Sequence, residues 1–350
     1  MGANEKAAVQ ASECGKIEIR MESFDAATCT SPRVMDSFVA GFNLVSNRIY
    51  LIAMPAGLDV LLWLGPRLSV SKLLERRFED WIAAVSGSLS PVALNSLTIF
   101  QQLVLDYARQ QNLLSLLSTL PVGLPSMLAW KGGRQTPWGM AWEVQLASEG
   151  AVAAVWVGCL LSGVLAGCVY FAMLAHFTSP HPLRWNWLRF ARQCGQALVL
   201  MGVLMGLVVV GGVPTLLLLM LAASLSVEVA GLLMLALGAA AIFVLLPLVF
   251  TVHGVFALGL AALDAPYSSM LLVRRCLPGV GLFVLVAVLL AQGLDMLWKS
   301  SAPDSWLLLM GIGARAFIYT AILAASFIYY RSGAAWLALQ SRPRWGAMQF

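Results

Sequence analysis

Long apolar runs recur along the chain, and most are of bilayer-crossing length. A membrane-spanning helix needs about 20 mostly apolar residues. Six segments meet or approach that length: Ile49–Leu64, which is short and carries Pro55, Gly57 and Asp59; Gly150–Ala175; Gln196–Ala223, with Pro214 near its far end; Val229–Thr251, with Pro247; Leu277–Trp298; and Trp306–Tyr330. Pro214 and Glu228 bracket the turn between the third and fourth, expected at Ser224-Leu225-Ser226. The last two are joined by the polar run Lys299–Asp304. After the fourth span, His253–Leu263 stays apolar and helical, either projecting past the membrane or lying on its surface.

Two other stretches carry helical periodicity without spanning character. Phe38, Phe42, Val45 and Ile49 recur on one face of a helix. Asp36 or Ser37 is placed to cap it, and Arg48 marks the turn into the first span. Such a helix is expected to lie in the membrane interface. The 81-residue stretch 67–147 is the one large loop. In it Leu74, Phe78, Trp81, Ile82 and Val85 share a helical face, and Arg76 and Asp80 stand at i, i+4. Ser90-Pro91 opens a second helix whose stripe is Leu97, Phe100, Val104, Tyr107 and Leu114. Gln101, Gln102, Asp106, Arg109 and Gln110 keep that helix from being a span. The apolar run Leu120–Leu128, broken by Pro121, Gly123 and Pro125, is expected as a surface loop on the bilayer, with a shallow re-entrant turn as the second choice. The chain thus divides into a polar tail (1–36), the interfacial helix and first span (37–66), the helical loop (67–147), a five-helix transmembrane region (148–331) and a second tail (332–350). The fold class is all-α, a six-helix transmembrane bundle.

Composition supports this. Of the 350 residues 60% are hydrophobic and 11% charged, and the mean hydropathy is +0.82. A soluble domain averages about 45–50% apolar and about 25% charged. That excludes a soluble enzyme, a nucleic-acid-binding protein and a disordered chain. The net charge of +5 is read through the placement of its basic residues, because cytoplasmic short loops are rich in Lys and Arg. With the N-terminus inside, the inner segments hold Lys6, Lys16, Arg20, Arg33, Arg48, Arg184, Arg189, Arg192, Arg274, Arg275, Arg331, Arg342 and Arg344, against Lys299 alone on the outer short loops. Both termini are therefore expected in the cytoplasm and the 67–147 loop outside. The polar, mixed-charge start argues against a cleaved signal peptide. The loop has no cysteine and no N-x-S/T sequon, which leans towards a bacterial cytoplasmic membrane.

Candidate chemistry is sparse. Ionisable groups inside spans are costly and point to function or to pairing. Asp59 lies roughly 9 Å and Arg315 roughly 14 Å from the outer ends of their spans, at 1.5 Å per residue, with Asp295 near the outer rim. An Asp59–Arg315 pair with Asp295 beside it is the expected cluster, read first as a packing device and second as a substrate or ion site. Arg184, Trp185, Trp187, Arg189 and Arg192 interleave aromatic and basic residues beside a span, which reads as contact with lipid headgroups; Arg274 and Arg275 are assigned the same role. Gly163/Gly167 and Gly202/Gly206 are GxxxG pairs that let helices approach closely and are expected to pack the second span on the third. His253 is read as an interfacial or hydrogen-bonded residue. His176 and His181 have no partner acids, and the six cysteines form no CxxC pair. No metal or cofactor is called for, and no GxSxG, Walker loop, HExxH or GxGxxG is present.

The segment Gly41-Phe-Asn-Leu-Val-Ser-Asn-Arg48 leading into Leu51-Ile-Ala-Met-Pro55, together with Ala261–Leu277 and its Tyr267-Ser-Ser and Arg274-Arg275, resembles an uncharacterised bacterial six-span membrane protein family. It is also similar to the membrane region fused to some glycerophosphodiester phosphodiesterases. The resemblance covers most of the chain outside the loop. It implies a membrane scaffold and no substrate. The catalytic phosphodiesterase domain is missing, so that activity is not carried over, and the 81-residue loop departs from the pattern. The leading expectation is a non-enzymatic accessory or scaffold subunit, bathed in membrane lipids and docking a protein partner through the loop. The second is a transporter, channel or lipid-handling protein using Asp59, Asp295 and Arg315. A lipid enzyme at the outer face comes third, since the loop offers Glu75, Glu79, Asp80, Asp106 and Glu143 but no His.

Overall fold

The computed structural model describes residues 32–88, 91–118, 122–126, 128–129, 135–180, 185–298 and 304–341. They form an all-α helical bundle. Four helices are long and apolar enough to cross a membrane, or up to six if each of two bent pairs counts as one. The long apolar helices start at polar caps. Helix α5 (Glu149–Phe177) begins at Ser148, whose hydroxyl accepts from the Ala151 N–H at 3.2 Å. Helix α6 (Trp187–Leu225) begins at Asn186, which accepts from Leu188 and Arg189. It runs through Pro214 and starts nine residues before the expected Gln196. Helix α7 (Val227–Leu245) begins at Ser226, whose hydroxyl accepts from Val229. A side-chain oxygen there satisfies a backbone donor that the first turn leaves without a helical partner.

The bent pairs are α1 (Val34–Asn47) with the segment Ile49–Leu64, at 96°, and α8 (Asp264–Arg275) with α9 (Leu277–Trp298), at 101°. The first elbow is a 3-10 turn at Ile49–Ile52 that opens α2 (Ala53–Leu64). It takes Ile49 off the expected stripe: Phe38 and Val45 are buried, whereas Ile49 is 56% exposed. Both elbows pack on α10 (Leu307–Ser341). At Gly41 an added Cβ would lie 2.6 Å from the Ala321 carbonyl oxygen and 2.7 Å from the Ala325 nitrogen, so only glycine lets α1 seat there. Phe38 stacks on Phe283 of α9 at 4.7 Å.

The stretch after the fourth span does not leave the bundle. Residues 250–257 are buried throughout. Pro247 breaks the α7 direction through a 3-10 turn (Leu246–Leu248), and a π-helical turn (Gly254–Leu258) ends at Gly259 with φ +68°. Phe250 stacks on Tyr329 and Tyr330, and His253 lies 4.4 Å from Phe327, ring centre to ring centre. By contrast α7 has no buried residue, and α6 is packed chiefly near its start, through Ala197, Leu200 and Met201.

The described residues of the 67–147 stretch form helices and short strands. Strand β1 (Arg67–Ser69) pairs in parallel with β4 (Glu143–Gln145), with Arg67 opposite Glu143, and closes its base. Helices α3 (Ser71–Val85) and α4 (Pro91–Gln110) pack together, with Phe78 edge-on to Phe100. Strands β2 (Gln135–Thr136) and β3 (Gly139–Met140) form a small hairpin. Arg76 and Asp80 do not pair; Arg109 reaches Glu75 at 3.3 Å, and Arg77 pairs with Glu149.

Candidate functional site

The charges on the apolar helices go to two separate places, and the expected Asp59–Arg315 pair is not formed. Asp59 is 2% exposed on α2. Its Oδ1 accepts from the Ser126 hydroxyl at 2.5 Å and from the Leu128 N–H at 3.1 Å, and the Ser126 oxygen accepts from the Leu128 and Ala129 N–H groups. The acid thus anchors the chain after α4. Arg315 on α10 instead pairs with Asp295 on α9, donates to the Tyr319 hydroxyl at 3.0 Å, and lies over the Tyr319 ring at 4.6 Å. Tyr319 stands one turn beyond Arg315, so the two share a face, and α9 brings Asp295 to it. The side chains of Asp295 and Arg315 are each 14% exposed.

The anchored segment is the main correction to the surface-loop expectation. The 3-10 helix Leu113–Ser118 and residues 122–126 run against the middle of α5. Gly163 faces the Leu116–Leu117 backbone: a Cβ there would meet the Leu117 Cα and O at 2.8 Å. Gly167 faces the backbone of Val122 and Gly123. Val122 and Leu124 are buried, and Ser118 donates to the Leu124 carbonyl at 2.6 Å. Irregular backbone inside an apolar layer persists only where protein covers it and satisfies its polar groups; the glycines, Ser118 and Asp59 do both. The first GxxxG pair therefore receives this segment rather than α6. At Gly202 and Gly206 an added Cβ would meet nothing within 4 Å.

His253 is buried, its Nε2 2.7 Å from the Ser326 hydroxyl. This is an interior hydrogen bond, reached because the helix turns back into the core, and not an interfacial position. His176 sits at the C-terminal turn of α5; His181 and Arg184 lie outside the described residues.

Among the described residues, Arg48, Arg189 and Arg331, all expected on inner segments, gather at the C-terminal end of α5. Arg48 donates to the Phe177 carbonyl and lies 4.4 Å over the Phe177 ring. Arg331 donates to the Ala175 carbonyl at 2.7 Å and the Ser179 hydroxyl at 3.2 Å. Cations on the last carbonyls of α5 meet its negative dipole end. Trp185, Trp187, Arg192, Arg274 and Arg275 are exposed, and Arg189 is half-buried. At the opposite end Trp138, Trp142 and Trp306 are exposed, with Trp306 edge-on to Trp63 and Trp138. Exposed tryptophans at both ends match the aromatic belts of membrane interfaces.

Sequence reasoning missed Ser126, Tyr319, Ser326 and the capping role of Arg331. Tyr319 alone carried a local signal, its i+4 spacing from Arg315. Among the described residues no group of three or more His, Cys, Asp or Glu is placed to hold a metal ion. No protein-family profile, curated protein or solved structure matches the chain.

Proposed function

We propose that the protein is a non-enzymatic, multi-pass protein of a bacterial cytoplasmic membrane, an accessory or scaffold subunit whose 67–147 unit docks a partner protein outside. In this reading each bent pair is an interfacial helix turning into a span, which brings the spans to six and leaves α1 in the inner interface. Both termini are cytoplasmic in this reading, which the distribution of basic residues supports.

The observation that carries the reading is an exposed apolar row on the two helices of this unit. Trp81, Ile99, Phe100, Leu103 and Tyr107 are between 47% and 65% exposed along α3 and α4. Contiguous exposed apolar surface rimmed by polar groups marks an interaction site. The polar flank of α4 carries Gln102, Asp106 and an Arg109 already paired with Glu75 and Asp106. It lacks the basic run that seats an amphipathic helix on lipid phosphates, which favours a protein surface able to accept aromatic side chains. The alternative, a transporter, channel or lipid-handling protein, drew on an Asp59–Arg315–Asp295 cluster, and these residues work in two separate places.

The test replaces Leu103 and Tyr107 by Glu and follows the native mass of the protein in lipid nanodiscs taken directly from membranes. Wild type is expected in an assembly larger than one chain, and L103E/Y107E as the single chain with unchanged thermal stability. A wild type that is already a lone chain, or a variant that keeps the larger assembly, overturns the proposal.

A further inference from the structure

The β2–β3 hairpin gives the 67–147 unit a second exposed apolar group. Trp138, Met140 and Trp142 stand at every second position, and each is more than 70% exposed. Their placement is fixed by the backbone. Thr136 pairs with Gly139 across the two-residue turn Pro137-Trp138, and Gly139 takes φ +107°, which other residues rarely adopt. The Thr136 hydroxyl donates to the Gly139 carbonyl at 2.9 Å and accepts from the Trp138 N–H at 3.3 Å. The Trp142 carbonyl accepts from the Arg67 N–H at 2.8 Å, which ties the hairpin to the β1–β4 base.

The level of the hairpin along the bundle points to what covers it. Trp138 is edge-on to Trp306 at 5.8 Å, ring centre to ring centre, and Trp306 immediately precedes α10. Trp306 is edge-on to Trp63 at 5.7 Å, in the last turn of α2, and Trp63 packs with Leu308 and Ile312 of α10. The turn of the hairpin is thus level with the ends of two apolar helices. Residues 135–142 carry no charged side chain, so the hairpin offers no ion pair to a protein partner. An indole suits the membrane interface, with its ring among acyl chains and its N–H on a headgroup or ester oxygen. We propose that Trp138, Met140 and Trp142 insert into the headgroup–acyl boundary of the leaflet facing the 67–147 unit and hold the base of that unit on the membrane. The occupant is the lipid surface, anionic or zwitterionic alike, while the α3–α4 row stays clear of it. The proposal rests on the reading of α10 as a span.

Photo-crosslinking of the full chain in lipid nanodiscs taken directly from membranes tests this. The probe p-benzoylphenylalanine is placed singly at Met140, at Leu103 on α4 or at Met310 on α10, all three exposed, and adducts are identified by intact mass. Phospholipid adducts are expected at Met140 and Met310 and not at Leu103. Trp142→Ser in the chain probed at Met140 is expected to lower the lipid yield about tenfold, the scale of burying one large apolar side chain. An adduct at Met310 without one at Met140, a polypeptide adduct in place of lipid at Met140, or a yield unchanged by Trp142→Ser overturns the proposal and leaves the spanning reading intact. Equal lipid yields at Met140 and Leu103 also overturn it, by spreading the contact over the whole unit. No lipid adduct at Met310 removes the spanning reading and the proposal with it.

Discussion

Helices α5 and α6 each carry a GxxxG pair, and the two pairs meet opposite surroundings. On α5, Gly163 and Gly167 lie under the backbone of residues 116–117 and 122–123 so closely that no Cβ fits. On α6, Gly202 and Gly206 face open space. The contrast extends to the regions around them. The core of α1, α2, α5, α8 and α10 encloses Tyr170, Phe250, Phe327, Tyr329 and Tyr330, whereas the α6–α7 pair presents apolar side chains outward, with Val210, Leu235 and Phe243 each more than 70% exposed. A GxxxG pair is a groove of low relief. Whether it takes a helix, an irregular segment or lipid is set by what the rest of the chain brings to it.

The largest effect should separate the two glycine pairs. Gly167→Leu forces a branched side chain into backbone and is expected to cost about 3 kcal/mol or more, or to expel the 113–126 segment. Gly206→Leu should cost less than about 0.5 kcal/mol. Denaturant unfolding of both variants in one detergent decides, and equal effects would abolish the contrast. Next, Asp59→Leu leaves the Ser126 hydroxyl and the Leu128 N–H without their acceptor. It is expected to cost about 2–3 kcal/mol and to open 113–128 to limited proteolysis, while Asp59→Asn, which keeps an acceptor oxygen, stays protected. Arg315→Gln strands Asp295 and should cost about 2 kcal/mol, with at least half restored in the Arg315→Gln/Asp295→Asn double mutant; a double mutant no better than the single would mean that the pair is not coupled. Smallest of all, Phe243→Ala on α7 is expected to change stability by less than about 0.5 kcal/mol in a bilayer mimetic. A loss above about 2 kcal/mol there would show that protein rather than lipid covers the α6–α7 pair.

Much of the helix plan was legible because long apolar runs and polar caps act locally. Ser226 starts α7 at the expected break, since a serine side chain competes for the first free N–H groups of whichever apolar run follows it. The path of 113–126 was not legible. Its prolines and glycine say only that it is irregular, and its depth depends on glycines about 45 residues further along and on an acid more than 50 residues before it. The pairing at the candidate site was not legible: Asp59 and Arg315 both lie on apolar helices, but periodicity carries no distance between separate helices, and Arg315 meets Asp295 instead. For His253 the hydrogen-bonded alternative holds, but its partner was hidden for the same reason, because Ser326 is 73 residues away.

The sequence by itself determined an apolar, multi-helix chain, several of its helix breaks and the places of its basic residues between apolar runs. Each of these follows from side-chain transfer energies and capping within a few residues. The tertiary structure alone decided which helix faces stay bare, that an irregular segment enters the bundle against α5, and that Asp59 and Arg315 serve different partners. Burial removes polar groups from water, so each must find a neighbour through space, and those neighbours are chosen by the packing of distant segments.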